Sequence, residues 1–372
     1  MSRFCQLSAL LALALPLFTT ASPVDLNALL RRQDVDTPQN ASLPNVTIYS
    51  TGGTIASVGT SNTQTIGYSV GLGVQQLVDA VPEILNIANI DGYQVSNVDS
   101  GRINSTILLN LTQLINAELA KETVAGVVIT HGTDTLEETA MFLDLTINST
   151  KPVVIVGAMR PATALSADGP LNLLQAVTLA TSEVARGRGV MISLNDRIGS
   201  ALYTTKMHAN APDTFYATEQ GQLGFYINQV PYFYYEHALP TGKPFFNISG
   251  ATDLPHVDIL YAHQQANGAL VNASYESGAE GIVFAGVGAG GLTPAYSLAA
   301  QELYNATGIP MVASHRSPDG FAPISESNGW IIGSGPLNPQ KSRVMLQLAI
   351  EVGYDNEKIR SLFAGTMPDA DA

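Results

Sequence analysis

The apolar residues of this chain fall into short runs that alternate with amphipathic stretches. Runs rich in β-branched residues, typical of buried strands, lie at residues 46–49, 127–129, 153–156 and 190–194. Apolar residues recur at helical spacing near residues 75–80, 111–119, 137–145 and 171–183. Because strands that alternate with helices are typical of βαβ units, the pattern predicts a mainly parallel sheet.

The alternation stops once and then returns. Residues 234–255 have no clear periodicity and are rich in Pro and Gly, which indicates a linker. Four further runs favour strands, at residues 257–261, 281–285, 311–313 and 330–332. A length of 372 residues also favours two cores over one. We therefore predict two α/β domains with mainly parallel sheets: a larger N-terminal domain over residues 43–233 and a smaller, flavodoxin- or Rossmann-like domain over residues 256–372.

The first 21 residues have the features of a secretory signal peptide. Arg3 precedes an apolar stretch at residues 7–18, and small residues follow at Thr19 and Ala21. The stretch is shorter than the roughly 20 residues that a membrane span needs. Residues 22–42 are then either a pro-segment or a flexible tail. We expect a protein that is secreted or held in the cell wall, outside the membrane.

Composition narrows the classes of partner and chemistry. The net charge of −14, with only 17 Lys and Arg, argues against nucleic acid as a partner. The one cysteine, Cys5, lies in the predicted signal peptide, so a mature chain would have no disulfide. A secreted chain would carry N-glycans on some of its eight Asn-x-Ser/Thr sequons. These are at Asn40, Asn45, Asn104, Asn110, Asn148, Asn247, Asn272 and Asn305, and Asn45 is the least accessible because it enters the first strand.

A glycine-rich motif in the second domain suggests an alternative function. Gly286, Gly288 and Gly291 form G-x-G-x-x-G directly after a predicted strand, as in dinucleotide-binding oxidoreductases. That fingerprint requires an acidic residue at the end of the next strand, where this chain has Ser314 and His315. The six histidines contain no H-x-x-x-H pair, so we expect no catalytic metal and no cofactor. An inactive cell-wall glycoprotein is a third alternative.

Two threonine-bearing segments follow the first two predicted strands. They read TGGTIAS at residues 51–57 and THGTDTLEET at residues 130–139. Side chains at the carboxyl ends of parallel strands can face one crevice, and these segments offer Thr54, Thr133 and Asp134. A capping box of Thr135 and Glu138 is expected to start the helix after the second segment.

These two segments resemble the signature motifs of the type II L-asparaginases, which are secreted or periplasmic. The resemblance runs from about Leu43 to the C-terminus and includes KPVVIVGAMRPATALSADGPLNLL (151–174) and PLNPQKSRVMLQLA (336–349). It implies hydrolysis of L-asparagine to L-aspartate and ammonia without a cofactor. It also implies a homotetramer, with active sites formed between subunits.

The resemblance assigns roles to individual residues. It implies that Thr54 is the nucleophile and that Tyr68 lies on a lid over residues 57–73, which is dense in Gly, Ser and Thr. Thr133, Asp134 and Lys206 match the second catalytic set of the family. A positive Lys206 would favour ionisation of the Thr133 hydroxyl, and Asp134 would hold the substrate α-ammonium.

Further positions match the substrate-binding residues of the family. Ser100 matches the contact to the α-carboxylate, the carbonyl of Ala158 matches the acceptor of the leaving ammonia, and Glu326 matches a carboxylate lent across the subunit interface. The sequence departs from the family at Gly101, where many members have Gln or Glu, and at Gly291, where Asn or Ser is usual. These departures predict a site with fewer tethers for substrate.

Overall fold

The structure, a computed structural model, describes residues 35–323 and 329–367. Its strands are β1 Asn45–Gly52, β2 Ser57–Val58, β3 Ser69–Val70, β4 Asn89–Val98, β5 Val124–Thr130, β6 Val153–Val156, β7 Val190–Leu194, β8 Arg197–Ser200, β9 Thr205–Lys206, β10 Phe215–Tyr216, β11 Gly224–Ile227, β12 Val230–Phe233, β13 Val257–Tyr261, β14 Gly281–Gly286, β15 Met311–His315 and β16 Ile332–Gly333. Its α-helices are α1 Val74–Asp79, α2 Ser105–Leu119, α3 Leu136–Thr146, α4 Gly169–Ala180, α5 Ala269–Glu276, α6 Pro294–Thr307, α7 Pro339–Glu351 and α8 Asn356–Gly365.

The larger sheet has eight strands in the order β12-β11-β8-β7-β6-β5-β1-β4. Strands β4, β1, β5, β6 and β7 are parallel, and β8, β11 and β12 extend the sheet antiparallel. Along β5, Val127 and Ile129 pack into one apolar layer while Val128 packs into the other. Burial on both faces explains the continuous apolar runs, and the mainly parallel α/β prediction is confirmed.

One long strand and the antiparallel extension were not predicted. Strand β4 has ten residues, yet Asp91, Gln94 and Asn97 interrupt its apolar pattern. It lies at the edge of the sheet and is paired with β1 alone. An edge strand is less covered than a central one, so it tolerates polar residues that hide its pattern in the sequence.

The smaller sheet has four parallel strands in the order β13-β14-β15-β16. Helix α7 packs against this sheet and also against α3 of the first domain. Residues of α3 and α7, such as Phe142 and Met345, therefore belong to one apolar cluster that crosses the domain boundary. Residues 234–255, between β12 and β13, contain no helix or strand.

The predicted signal peptide lies outside the described residues. The next stretch, residues 35–42, runs beside β4: Val35 is buried at 3% exposure and the Thr37 hydroxyl donates to the carbonyl of Ile90 at 2.9 Å. Across residues 35–323 and 329–367, the helices all fall short of the length and apolar character needed to cross a bilayer.

Candidate active site

The two threonine segments meet at the carboxyl edge of the larger sheet. Strand β1 lies between β4 and β5: the chain runs from β1 to β4 on one side and then crosses back to β5 on the other, which creates the switch point where α/β sheets bind ligands. Gly53, with φ of 81°, follows β1, and Gly132 follows β5. A Cβ on Gly53 would lie 2.1 Å from the Cα of Gly132. Only glycine permits this contact, which fixes the two segments against each other.

Thr54 starts a short 3-10 helix, Thr54–Ala56, directly after Gly53. Its Oγ1 lies 3.1 Å from the hydroxyl oxygen of Tyr68, and either hydroxyl can donate. Tyr68 is close enough because β2 and β3 pair antiparallel and turn the intervening loop back over β1. The structure thus brings the predicted nucleophile and lid tyrosine into contact.

The loop between β2 and β3 is hydrogen-bonded to the loop that follows β6. The backbone N–H of Gly59 donates to the Thr163 hydroxyl at 2.8 Å, and the N–H of Leu165 donates to the carbonyl of Asn62 at 2.7 Å. Tyr68 is consequently held over Thr54 by contacts made several residues away from it.

Thr133, Asp134 and Lys206 form a second contact set. Lys206 Nζ donates to Thr133 Oγ1 at 3.0 Å and to Asp134 Oδ1 at 2.6 Å. The Lys206 side chain is 12% exposed and that of Asp134 is 82% exposed. The ammonium is therefore fixed on the threonine oxygen, while the carboxylate remains open to a ligand.

Ser100 lies at the end of β4 and packs against Gly132. Its Oγ accepts the N–H of Thr135 at 3.3 Å, and its carbonyl accepts the Thr135 hydroxyl at 2.9 Å. The predicted capping box is therefore wrong: the Thr135 hydroxyl is taken by Ser100, and Glu138 pairs with Arg343 at 3.2 Å. Gly101 follows, and a Cβ there would have open space within 4 Å.

Ala158 is fully buried in the loop after β6. Asp168 holds this loop, because its two carboxylate oxygens accept the backbone N–H groups of Met159 and Arg160, both at 2.9 Å. Asp168 stands at the N-cap position of α4 but makes no capping hydrogen bond there. In the sequence, Asp168 precedes Gly169 and Pro170, a pattern typical of a helix start. The pattern therefore gives no sign that Asp168 holds the loop.

His131 is a buried residue of the site that was not predicted. Its Nδ1 lies 2.7 Å from the carbonyl of Gly132, and its Nε2 lies 2.9 Å from the Thr139 hydroxyl. Burial lowers the pKa of His131 to about 4 although the Gly132 carbonyl opposes the shift. A neutral imidazole therefore braces the turn that carries Thr133.

Two further predicted positions belong to the second domain. Glu326 lies outside the described residues. Gly291 lies in the loop after β14, where its backbone pairs with Val287, and a Cβ there would meet the Val287 carbonyl oxygen at 3.2 Å. This loop leads into α6, but β15 ends in Ser314 and His315, which supply no acidic group for a ribose.

A cleft of about 550 Å³ opens beside the two threonine segments. Its lining includes Tyr68, Thr133, Asp134 and Lys206. In the described part of the chain, no cluster of three or more His, Cys, Asp or Glu residues could hold a metal ion. The cleft thus offers a small ligand the hydroxyls of Thr65, Tyr68 and Thr133, the cations of Lys206 and Arg160, and the open carboxylate of Asp134.

Comparison with known proteins identifies the family. Residues 45–239 match the model "Asparaginase, N-terminal", and residues 256–363 match "Glutaminase/Asparaginase C-terminal domain". L-asparaginase 2-3 of Saccharomyces cerevisiae is 54% identical over 331 residues, covering 88% of this chain and 91% of the yeast protein. L-asparaginase 2 of Bacillus subtilis is 43% identical over 351 residues, covering 93% and 92%. The solved structure of a probable cytoplasmic L-asparaginase from Campylobacter jejuni has 41% identity and a TM-score of 0.83, covering 87% of this chain and 99% of that one. The chain therefore belongs to the asparaginase/glutaminase family.

Proposed function

We propose that this protein hydrolyses L-asparagine to L-aspartate and ammonia through an ester on Thr54. The observation that carries the proposal is a pair of hydrogen-bonded threonine hydroxyls: Thr54 contacts Tyr68, which lines the cleft, and Thr133 accepts from Lys206 in the same cleft. The activity of the named relatives and the family of the chain support the same reaction.

The reaction takes place in two balanced steps. Thr54 Oγ1 attacks the side-chain amide carbon of asparagine, the carbon–nitrogen bond breaks, and the hydroxyl proton ends on the departing nitrogen as ammonia. Water then attacks the ester carbon, which releases aspartate and returns a proton to Thr54. Tyr68 orients the Thr54 hydroxyl through the 3.1 Å hydrogen bond.

Thr133 and Lys206 assist proton movement in these steps. Because the ammonium of Lys206 donates to Thr133 Oγ1, the hydroxyl proton of Thr133 points away from Lys206 and can be passed to a reacting group. The positive charge also stabilises the threonine oxygen when it carries negative charge. Asp134 accepts the α-ammonium of the substrate with its exposed carboxylate.

The remaining binding roles follow from the resemblance. Ser100 binds the α-carboxylate, the carbonyl of Ala158 accepts the departing ammonia, and Glu326 adds a carboxylate from a neighbouring subunit. The fixed loop on Asp168 supports the role of Ala158.

Ammonia release from L-asparagine by the purified protein, without added cofactor or metal, tests the function. A coupled assay should detect ammonia and aspartate in equal amounts. No release would exclude the hydrolase and favour an inactive glycoprotein, whereas turnover that depends on a nicotinamide nucleotide would favour the oxidoreductase alternative.

Tyr68→Phe is expected to lower kcat by about 10²-fold with little change in KM, because the lost hydroxyl positions Thr54 in the transition state. Steady-state kinetics on asparagine measure the split. Ile66→Ala is the control variant in the same lid. Ile66 is 73% exposed and lines the same cleft, but it has no hydroxyl that could orient Thr54. A change in KM alone for Tyr68→Phe would make Tyr68 an ordinary binding residue.

Gly101→Gln is expected to lower KM for asparagine by about tenfold and to raise relative glutamine turnover, because one charge-assisted hydrogen bond contributes about 1.5 to 3 kcal/mol. The open space at Gly101 accommodates the side chain. The wild type should accordingly prefer asparagine, since a site with few tethers holds the longer substrate poorly in a strained pose.

Gly101→Ala separates the effect of a polar tether from that of a Cβ. Kinetics of the three proteins on both amides decide the matter. Equal kcat/KM for the two amides in the wild type, or identical values for Gly101→Gln and wild type, would mean that ordered water already replaces the missing side chain.

We further propose a secreted or cell-wall homotetramer that carries N-glycans. Six sequon asparagines are exposed, namely Asn40, Asn104, Asn148, Asn247, Asn272 and Asn305. Asn45 is partly buried, and its Oδ1 accepts from Asn89 at 2.9 Å, which disfavours a glycan there. Mass spectrometry of the native protein after deglycosylation tests the N-glycans, and sedimentation analysis of the same sample tests the tetramer.

A further inference from the structure

A buried carboxylate lies four residues after Thr133. Glu137, near the start of α3, is 4% exposed. Burial raises its pKa, while Lys341, Gln340 and the backbone N–H of Lys206 oppose the rise. A buried carboxylate destabilises a fold unless its oxygens are satisfied, so its partners indicate what it does.

The partners of Glu137 include both residues of strand β9. Its Oε2 accepts the hydroxyl of Thr205, and the backbone N–H of Lys206 lies near enough to the carboxylate to lower its pKa. Oε1 accepts the amide of Gln340 at 2.8 Å. Strand β9 is only two residues long and pairs with the equally short β10, which fixes it weakly. The carboxylate therefore anchors a segment that the sheet itself holds poorly.

The second domain completes this anchor through the start of α7. Asn338, the N-cap of α7, donates its amide to the Thr205 hydroxyl oxygen at 2.7 Å. Lys341, buried at 1% exposure, donates to the carbonyls of Ala201 and Thr204 just before β9. The chain that presents Lys206 is thus tied on one side to α3 and on the other to α7.

The residues that accept the Lys206 ammonium and the carboxylate that anchors β9 lie close together in the chain, at the start of α3. Thr133 and Asp134, which accept the ammonium, precede Glu137 by four and three positions, so the acceptors and the anchor belong to one rigid turn. A side-chain contact at Nζ and a backbone contact at β9 together leave Lys206 little freedom relative to Thr133.

We propose that Glu137 is a positioning residue, which sets the ammonium of Lys206 on the Thr133 hydroxyl by fixing strand β9, with Asn338 and Gln340 of the second domain as its supports. This inference rests on the proposed function of Thr133 and Lys206. It gives the second domain of the same subunit a part in positioning Lys206.

Glu137→Gln tests the proposal because it keeps the shape of the side chain and removes the charge. The matched control is Glu138→Gln, which makes the same change at the next position of α3, where the carboxylate pairs with Arg343 of α7 and does not contact β9. We expect Glu137→Gln to lower kcat on the order of 10²-fold, since small misplacements of a catalytic group have this effect. KM should stay within about threefold of the wild type, and Glu138→Gln should keep wild-type kcat.

Glu137→Gln could lose its fold, because the buried Lys341 then keeps only Asp144 as a buried acidic neighbour. A second variant guards against this outcome. Thr205→Val is isosteric and uncharged, and it removes the hydroxyl that joins Glu137 to Asn338. Because the charges of Glu137 and Lys341 both remain, it should stay folded at a somewhat lower melting temperature, while kcat falls in the same direction.

The rate at which acetic anhydride labels Lys206, followed by peptide mass spectrometry, gives a readout that does not depend on asparagine turnover. Lys206 should react several-fold faster in Glu137→Gln and Thr205→Val than in the wild type or Glu138→Gln. If wild-type protein released no ammonia, the proposed function would fail while the labelling rates still tested Glu137. Unchanged labelling and a kcat equal to that of Glu138→Gln would overturn the inference and leave Glu137 a purely structural residue.

Discussion

Thr54→Ala is expected to reduce kcat on asparagine on the order of 10⁴-fold or more, because it removes the attacking oxygen and leaves only binding and charge stabilisation. Thr54 is partly exposed at the start of a short 3-10 helix, so the change opens no cavity in the core. The melting temperature should therefore remain near that of the wild type. Ammonia release over long incubations, together with a thermal melt, measures both quantities.

Thr54→Ser is the control for this variant, since it retains a hydroxyl at the same position and should retain measurable turnover. A kcat near that of the wild type in Thr54→Ala would show that the nucleophile is another residue, and Thr133 would be the first to consider. Mass spectrometry of acid-quenched mixtures identifies the acylated peptide: the ester should fall on the peptide that contains Thr54.

Thr133→Val should lower kcat on the order of 10² to 10⁴-fold, which is the usual contribution of one positioned acid–base group. Valine has nearly the shape of threonine, and Thr133 is 4% exposed, so packing is preserved while the oxygen that accepts from Lys206 is lost. The ester on Thr54 should accumulate in this variant because its hydrolysis is slowed, and a rapid-quench time course would reveal it.

Thr112→Val provides a matched comparison, because Thr112 is also 4% exposed and lies on α2, outside the cleft. Its hydroxyl contacts Thr146 at 3.4 Å. Equal losses of kcat in the two valine variants would attribute the effect of Thr133→Val to general destabilisation instead of proton transfer.

Local pattern predicted the central strands well and the edge poorly. The runs at Val153–Val156, Val190–Leu194 and Val257–Tyr261 coincide with observed strands. The first two lie inside the large sheet, where both faces are covered and all residues but Ser193 are apolar. Strand β4, at the edge, carries polar residues and was missed. Helix α4 ends at Ala180, three residues earlier than its apolar spacing indicated.

Motifs predicted which side chains gather at the cleft, but not what holds them there. The structure brings Thr54 beside Tyr68 and Thr133 beside Lys206. The contacts of Glu137 with Thr205 and of Thr205 with Asn338 span 68 and 133 residues, and no local pattern reveals them. The capping box failed for the same reason, since Ser100 and Arg343 are partners that only tertiary structure supplies. The roles of the site residues stay predictions until the variants are measured.

The contact between Gly53 and Gly132 bears on how such a site could acquire new substrates. These two backbones touch where any Cβ would collide, so neither position can take on a side chain. Adaptation to a longer or bulkier amide must therefore occur at other positions around the site. Gly101, with its open space, and the hairpin of residues 57–73 are the places where a single substitution could change which amides fit.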